Sequence, residues 1–214
     1  GNIVYIDQYV DRIQNAFFMR IEVEAELNDT EFDNIKKSFH EELGIPFEMN
    51  CDFYLANVLP KMAVFVSKYD HCLYDILAQQ SSRKLGCEIP FIISNHKDLE
   101  PIAKQFNIPF YHIPVSKDTK ESAEQKQLEL LQKHGVNFIV LARYMQILSS
   151  KIIDEFPSKI INIHHSFLPA FPGAKPYHSA FQRGVKIIGA TSHYVTEELD
   201  AGPIIEQDTI RVSH

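Results

Sequence analysis

An asparagine and a histidine stand two positions apart at the end of a predicted strand, and together they could act on a carbonyl group. The strand is the β-branched run from Ile160 that reaches Asn162 and His164 before a loop rich in proline. Side chains alternate along a strand, so Asn162 and His164 should point to the same side. The amide could stabilise negative charge on oxygen, and the imidazole could transfer protons near neutral pH.

A carboxylate that could orient the imidazole stands at Asp200. It precedes Gly202 and Pro203, which predict a defined turn before another strand. The carboxylate could accept a hydrogen bond from His164 or from a water molecule, and it would favour the charged imidazole. Asn-x-His pairs and turn aspartates are each common in ordinary structural roles. The combination of Asn162, His164 and Asp200 is what indicates a catalytic site.

The elements that must position these residues alternate between strands and helices from about residue 60 onwards. This alternation predicts an α/β fold with a doubly wound, mostly parallel sheet. The predicted strands are 62–66, 89–94, 109–114, 137–143, the run from 160, 186–195 and 204–210, and the predicted helices are 72–78, 120–134 and 178–183. Right-handed crossovers would place the carboxyl ends of the parallel strands at one edge, where open sheets bind ligands. Asn162, His164 and the loop 144–148 fall on that edge.

Residues 1–57 predict a separate, small α+β module that a short linker at 57–61 joins to the rest. Its predicted elements are a strand at 3–6, a turn at 11–15, a strand at 16–25, a helix capped by Thr30 and a strand at 47–55. This order resembles the later part of an ACT domain, a ferredoxin-like ligand-binding module. The ACT pattern places another strand and helix before Gly1, so we expect the sequence to begin inside the module. Two roles are compatible with this module: it could bind an amino-acid effector, or it could serve only in packing or subunit contact.

Composition limits the classes of partner. The chain has 214 residues, and the 45% of them that are hydrophobic exclude a disordered chain. Its net charge of −7 disfavours nucleic acid as a partner. No apolar run approaches the roughly 20 residues that cross a bilayer, and no signal-peptide pattern opens the chain. The three cysteines lack the spacing of a disulfide framework or zinc site. We therefore expect a cytoplasmic protein without membrane partners, and a homo-oligomer because ACT-like modules commonly pair.

Three ordered motifs, at 162–173, 189–195 and 197–205, resemble the core of the folate-dependent formyltransferase superfamily. The resemblance covers about residues 60–212 and implies a formyltransferase-like fold. It also implies that Asn162, His164 and Asp200 act together on the N10-formyl group of a folate. The resemblance assigns folate contacts to two segments, and the substrate-binding residues expected from them are Tyr144, Met145, Gln146, Ile147, Leu148, Val195, Thr196 and Ala201. Folate is then the substrate, and no further cofactor or metal is expected.

The loop after the first strand of this region indicates which molecule accepts the formyl group. Members of the superfamily that use a phosphorylated ribose hold the phosphate with a glycine-rich loop. Here residues 66–72 contain no glycine, and Tyr69 and Asp70 add bulk and negative charge. Because this loop is not expected to bind a second substrate, we expect water to accept the formyl group. The predicted reaction is hydrolysis of 10-formyltetrahydrofolate to formate and tetrahydrofolate. The alternative is transfer of the formyl group to an amine acceptor.

The predicted mechanism assigns a role to each of Asn162, His164 and Asp200. Asp200 and His164 would position a water molecule for attack on the formyl carbon, and Asn162 would stabilise the oxyanion. His164, as an imidazolium, would assist that charge and protonate N10 as it leaves.

Other classes of function fit the sequence less well. Four histidines could suggest a catalytic metal, but their spacing matches no common metal-binding motif; they are His164, His165, His178 and His193. Ser166 beside two histidines could suggest a serine hydrolase, but no G-x-S-x-G elbow is present. An amino sugar or a charged tRNA could be the acceptor of a transferase. A non-catalytic folate or amino-acid sensor would leave the Asn162, His164 and Asp200 set idle.

Overall fold

The computed structural model describes residues 1–171, 173 and 175–213 of the chain. Three residues lie outside the described ones: Pro172, which belongs to the first of the three motifs, Ala174, which follows that motif, and the terminal His214. The chain divides into two compact units, Gly1–Asn57 and Val58–His214. No helix among the residues described is long and apolar enough to cross a membrane.

The first unit contains the hairpin that the sequence predicts. Strand β1 (Asn2–Asp11) pairs antiparallel with β2 (Ala16–Glu24). The carboxylate of Asp11 accepts hydrogen bonds from the backbone N–H groups of Ile13 and Gln14, at 2.9 and 3.0 Å, and so stabilises the turn. Nearly every residue of both strands is exposed within this structure, apolar ones included.

Helix α1 (Asp29–Phe39) follows, and its start differs from the prediction. Asn28 rather than Thr30 is the N-cap: its side chain accepts from the N–H of Glu31, whose carboxylate accepts from the N–H of Asn28. This reciprocal pair satisfies two helix-end donors, which Thr30 inside the helix could not do. A π-helical turn, His40–Gly44, ends the helix.

The predicted third strand at 47–55 is wrong. The backbone N–H groups of Phe47 and Met49 donate to the carbonyls of Leu43 and Gly44, so the turn that ends the helix already uses them. Phe53 packs edge-on against Phe39, with 5.4 Å between ring centres. This region therefore extends the helical end, and among the described residues the first unit contains a two-stranded sheet.

The second unit has the α/β architecture that the alternation predicts. Its strands are β3 (Met62–Val66), β4 (Ile92–Ser94), β5 (Phe110–His112), β6 (Phe138–Ala142), β7 (Ile160–His164), β8 (Ile187–Tyr194) and β9 (Ile204–Arg211). Its helices are α2 (His71–Ser81), α3 (Glu100–Gln105), α4 (Lys120–Lys133), α5 (Ser150–Glu155) and α6 (Pro176–Gln182). The sequence patterns predict neither α3 nor α5, because six residues are too few to show helical periodicity.

The sheet has the order β5-β4-β3-β6-β7-β8-β9. Strands β3 to β7 are parallel, and β8 and β9 run antiparallel to their neighbours. A buried apolar layer covers each face: Phe65 packs with Phe91 on one face, and Val64 packs with Leu73 on the other. This double cover is why the central strands β3 and β6 are continuously apolar in sequence.

The strand order reverses at β3, which lies between β4 and β6. In sheets of this type, the crevice outside the carboxyl ends of the strands at such a switch point binds the ligand. The loops that follow β3, β6 and β7 all leave the sheet at this edge. The fold thus brings together three chain segments that are distant in sequence.

Candidate functional site

Asn162 lies in the middle of β7, where the antiparallel strand β8 places His193 directly opposite. The Nδ2 atom of Asn162 lies 3.2 Å from Nε2 of His193, and Nδ1 of His193 lies 2.9 Å from the carbonyl oxygen of Tyr194. Because a carbonyl only accepts, Nδ1 of neutral His193 carries the proton and Nε2 accepts from the amide. The orientation of the Asn162 amide is therefore set, and one of its two N–H groups is used.

Asp200 reaches the end of β7 from the turn before β9. Its backbone has φ of 57°, a left-handed conformation that aspartate tolerates better than most residues. Two residues later, a Cβ on Gly202 would lie 1.8 Å from the carbonyl oxygen of Tyr194, so glycine is required there. The Oδ2 atom of Asp200 accepts from the N–H of Gly173 at 3.2 Å. The turn and this hydrogen bond hold the carboxylate in place.

His164 and Asp200 meet in a buried position. Nδ1 of His164 lies 3.4 Å from Oδ1 of Asp200, and their side chains are only 7% and 5% exposed. The same oxygen lies 3.8 Å from Nε2 of His193. The structure therefore brings the predicted Asn162, His164 and Asp200 together, and it adds His193, which sequence reasoning considered only as a metal ligand. The strand pairing that places His193 there has no local sequence signal.

Burial lowers the pKa of His164, while the charge of Asp200 and a backbone hydrogen bond at Phe171 oppose that shift. The net direction is downward, so the neutral imidazole predominates at neutral pH. Its Nε2 atom is buried and has no hydrogen-bond partner among the described residues. A bound ligand or a water molecule can satisfy a buried polar atom that has no partner in the protein.

The other side of His164 carries positive charge. His165 lies beside it, with 5.4 Å between ring centres, and Nη1 of Arg143 donates to Nδ1 of His165 at 2.7 Å. Burial, followed by the charge of Arg143, lowers the pKa of His165 to about 4. Arg143 also lies over the ring of Tyr69, 4.8 Å from its centre. Arg143 is the first residue of the segment that the resemblance assigns to folate contact, but sequence reasoning gave it no role of its own.

The loop 144–148 divides between the core and the surface. Tyr144 and Leu148 are buried, and Tyr144 packs edge-on against Phe65 in the core. Met145 and Ile147 are exposed, and Gln146 is half-buried. Of the side chains in this loop, those of Met145, Gln146 and Ile147 are therefore open to a ligand, whereas Tyr144 and Leu148 anchor the loop.

Helix α4 holds this loop at both ends through polar side chains. Nε2 of Gln127 donates to the hydroxyl of Tyr144 at 3.1 Å, and the carboxylate of Glu124 accepts from the backbone and hydroxyl of Ser149. Burial raises the pKa of Tyr144 to about 12, so its hydroxyl stays protonated. Glu124 and Gln127 lie at helical spacing from Leu131, so their place on the inward face is a signal that sequence reasoning overlooked.

The loop after β3 provides a third anchor for the 144–148 loop. The hydroxyl of Ser67 accepts from the N–H of Met145 at 3.0 Å and donates to Oδ1 of Asn95 at 2.6 Å. Ser67 and Asn95 are both buried. Three strand ends, those of β3, β4 and β6, are thus tied together at the carboxyl edge.

The second predicted contact segment leaves β8 beside the core. Val195 packs against the core, and its N–H donates to the carbonyl of Ile160 at 2.9 Å. Thr196 and Ala201 are exposed. The hydroxyl of Thr196 donates to the carbonyl of Glu198, closing the loop that leads to Asp200.

The residues of the rival hypotheses have other surroundings. The hydroxyl of the buried Ser166 donates to the carbonyl of Ala170 at 2.8 Å, which is a structural role within the loop after β7. His178 is exposed on α6. Across residues 1–171, 173 and 175–213, no group of three or more His, Cys, Asp or Glu side chains is arranged to hold a metal ion.

Comparison with known proteins gives matches along the whole chain. A sequence model described as formyl transferase matches residues 60–214. The chain is 48% identical over 220 aligned residues to a formyltetrahydrofolate deformylase from Synechocystis, and it spans 75% of that protein's length.

Solved structures give the same result. A formyltetrahydrofolate deformylase from Pseudomonas syringae superposes with a TM-score of 0.94 at 44% identity, over 99% of this chain and 71% of that one. A glycinamide ribonucleotide transformylase from Symbiobacterium toebii superposes with a TM-score of 0.69 at 30% identity, over 77% of this chain and 79% of that one. The α/β fold is common to both, and the first is much the nearer.

Proposed function

The chain belongs to the formyl transferase family, and within it to the formyltetrahydrofolate deformylases, and on this basis we propose that it hydrolyses 10-formyltetrahydrofolate at the cluster of Asn162, His164 and Asp200. The products are formate and tetrahydrofolate. The observation that carries the assignment to this cluster is the arrangement of His164, with Asp200 at Nδ1 and an unpaired Nε2. One ring nitrogen is held by a carboxylate and the other is left for the reacting groups.

The first step is attack of water on the formyl carbon. His164 is neutral because its pKa is lowered, so Nε2 can take a proton from the attacking water. Asp200 stabilises the imidazolium that forms, through Nδ1. The free enzyme therefore starts with His164 as a base, rather than as the imidazolium that the sequence suggests.

The second component is stabilisation of the oxyanion. As the C–O bond of water forms, the formyl oxygen gains negative charge. Asn162 has one amide N–H that His193 does not use, and this donor can bind that oxygen. Because His193 fixes the amide orientation, the donor is in place before the charge develops.

The third step breaks the bond between the formyl carbon and N10. The imidazolium of His164 returns its proton to N10 as tetrahydrofolate leaves. The formic acid that remains loses a proton to solvent at neutral pH, because its pKa lies near that of other carboxylic acids. One water is consumed, and no external oxidant, metal or acceptor is needed for the balance.

The folate itself would lie against the two segments already described. We place its ring system between the 144–148 loop and the loop from Val195 to Ala201, with Met145, Gln146 and Ile147 supplying side-chain contacts. Tyr144 and Leu148 would then contribute through backbone groups and loop shape. Thr196 would act through the loop that it closes.

The test is to incubate the protein with 10-formyltetrahydrofolate without any acceptor and to quantify formate and tetrahydrofolate together. We expect equimolar release that Asp200→Ala reduces by about 10²-fold or more, since an acid–base pair typically contributes 10²–10⁴-fold. Asp208→Ala is the matched control, because Asp208 is an exposed aspartate on β9.

Three outcomes would decide the assignment. Equimolar release that survives Asp208→Ala and is lost in Asp200→Ala supports it. Equal rates in the two variants would remove Asp200 from the site. Folate binding without release would favour transfer to an amine acceptor.

For the first unit, we propose the ligand-binding role that the ACT resemblance implies, with an amino acid as effector. A hairpin followed by a helix supports the resemblance in part. The exposed apolar residues of β1 and β2 support pairing with a second copy of the chain, since a lone hairpin is marginally stable. Light scattering tests the pairing, and thermal shift with an amino-acid panel tests the effector.

We also propose a cytoplasmic location. The three cysteines, Cys51, Cys72 and Cys87, are free thiols in the structure. Unpaired thiols are typical of proteins in a reducing compartment.

A further inference from the structure

Arg143 has an unusual backbone for its residue type. It follows β6 directly, and its φ is 59°, in the left-handed region that favours glycine. Strained residues of this kind persist where surrounding contacts hold them, and they cluster at functional sites. The strain raises the question of what the side chain does at this edge of the sheet.

The contacts of Arg143 are aromatic rather than acidic. Nη1 donates to His165, and the guanidinium lies over the ring of Tyr69. Within the described part of the chain, no carboxylate forms an ion pair with Arg143 within 4.0 Å. Its Nε atom is buried without a hydrogen-bond partner there. Salt-bridge formation therefore does not account for its position.

These contacts continue across the carboxyl edge. His165 packs edge-on against Tyr177 of α6, with 5.3 Å between ring centres. Tyr69, Arg143, His165 and Tyr177 thus form one series of touching side chains, which we call the Arg143 wall. It joins the loops after β3, β6 and β7, and His165 brings it against His164. In the sheet, Tyr69 and Arg143 come from the β3 and β6 side of β7, whereas Asp200 comes from the turn between β8 and β9 on its other side.

A second substrate, such as an amine acceptor, would have to approach the formyl carbon from the side that the Arg143 wall bounds. An attacking group must come within about 3–3.5 Å of the formyl carbon, next to Asn162 and His164. Asp200 and the turn around it occupy one side. The other side faces β6 and the switch point at β3, where sheets of this type hold their ligands. The Arg143 wall lies there, and a water molecule needs far less room than an amine with its substituents.

We propose that the Arg143 wall is the specificity device of this enzyme, closing the acceptor side of the crevice to amines and leaving water as the nucleophile. The proposal rests on the hydrolytic function proposed above. Either nucleophile breaks the same bond to N10: water yields formate, and an amine yields a formamide and tetrahydrofolate. The bulk of the Arg143 wall acts against an amine, because the substituents of an amine need room that a water molecule does not.

The test measures the ratio of transfer to hydrolysis in the full chain. The protein is incubated with 10-formyltetrahydrofolate and glycinamide at pH 8, and N-formylglycinamide and formate are quantified by mass spectrometry. For Arg143→Ala we expect the ratio to rise at least tenfold above that of the unmodified protein. For Arg143→Met, which keeps most of the side-chain length, we expect a smaller rise.

Arg83→Ala is the matched control. Arg83 is also an arginine in the left-handed region, with φ of 56°, but it is exposed after α2. Arg143→Gly is a second opening variant, because glycine adopts φ of 59° without strain, and it serves if Arg143→Ala folds poorly. Thermal unfolding of each variant verifies the fold.

Each outcome decides the matter. A higher ratio in Arg143→Ala or Arg143→Gly, with no change in Arg83→Ala, supports the wall. An unchanged ratio, or loss of hydrolysis without any transfer, overturns it. Failure of the proposed function is distinct, because the unmodified protein would then release no formate.

Discussion

The two sides of His164 differ in charge and in the kind of contact they make. On one side, Asp200, His193 and Asn162 form a buried polar cluster with one negative charge. On the other, His165 and Arg143 form an aromatic and cationic wall. Burial is the largest cause of the lowered pKa of His164; the charge of Asp200 opposes this shift, and the charge of Arg143 adds to it.

This difference shows how catalysis and the choice of nucleophile can be separated around one imidazole, that of His164. The Asp200 side supplies hydrogen bonds to reacting atoms, and such donors and acceptors are effective because they are fixed in a buried place. The Arg143 side supplies shape and charge that the reaction itself does not consume. The first side should therefore set the rate and the second should set the choice of acceptor.

The largest expected effect tests the Asp200 side. Asn162→Ala should lower kcat by about 10²–10³, the usual loss for one oxyanion donor, with a smaller effect on KM. The variant should remain folded, because Asn162 is only half-buried. Steady-state kinetics with 10-formyltetrahydrofolate provide the measurement.

His193→Ala is the companion variant. It leaves the Asn162 amide present but without its partner, so kcat should fall less than in Asn162→Ala. Near-normal turnover in Asn162→Ala would show that another group binds the oxyanion.

A second prediction concerns the hydrogen bond between Gln127 and Tyr144, which anchors the loop that follows Arg143. Gln127→Leu leaves the buried hydroxyl of Tyr144 without its donor, which should lower the free energy of unfolding by about 1–3 kcal/mol. The loop 144–148 then loses an anchor, so KM should rise more than kcat falls. Chemical denaturation and steady-state kinetics measure the two effects.

Gln127→Leu combined with Tyr144→Phe removes both polar partners. The double variant should recover part of the lost stability, because no buried hydroxyl is left unpaired. Strictly additive losses would show that the hydrogen bond between Gln127 and Tyr144 contributes nothing to holding the loop.

The smallest expected effect is a titration. The pKa of His165 should be about 4, below its ordinary value of 6.5, because burial and Arg143 both disfavour its charged form. In Arg143→Met it should rise but stay below 6.5, since burial is the larger cause. Imidazole resonances followed by NMR between pH 3 and 8 would show this, and no rise would exclude Arg143 as a cause.

The same titration has a consequence for stability. The pKa values of His164 and His165 are lower in the folded state, so the unfolded state binds more protons. The contribution of His165 is complete above pH 6.5 and is lost as the pH falls toward 4, and that of His164 is also lost as the pH falls below 6.5. In Arg143→Met, the share of this loss due to His165 should be smaller.

Much of the catalytic unit was predictable because its signals are local. The central strands β3 and β6 are continuous apolar runs, and among the described residues the second unit has a strand at each of the seven predicted places. The helix 120–134 was equally clear from its spacing and its terminal glycine. The prediction of a third strand at 47–55 is wrong, because backbone hydrogen bonds from Phe47 and Met49 to the preceding turn compete with strand pairing.

The candidate site was predictable only in part, because some of its contacts join residues that are far apart in sequence. Strand alternation places Asn162 and His164 on one side, and residues 200–203 indicate a turn. His193 reaches Asn162 through antiparallel register, and Gln127 reaches Tyr144 across 17 positions of sequence. No local pattern records contacts of that kind.

The sequence by itself determined the α/β alternation, the polar strand end at Asn162 and His164, and the loop without glycine at 66–72. These follow from side-chain periodicity and from backbone preferences that act over a few residues. The tertiary structure decided the tautomer of His193, the lowered pKa of His164 and the position of Arg143 against His165. Those depend on burial and on distances between distant segments, which exist only once the sheet has assembled.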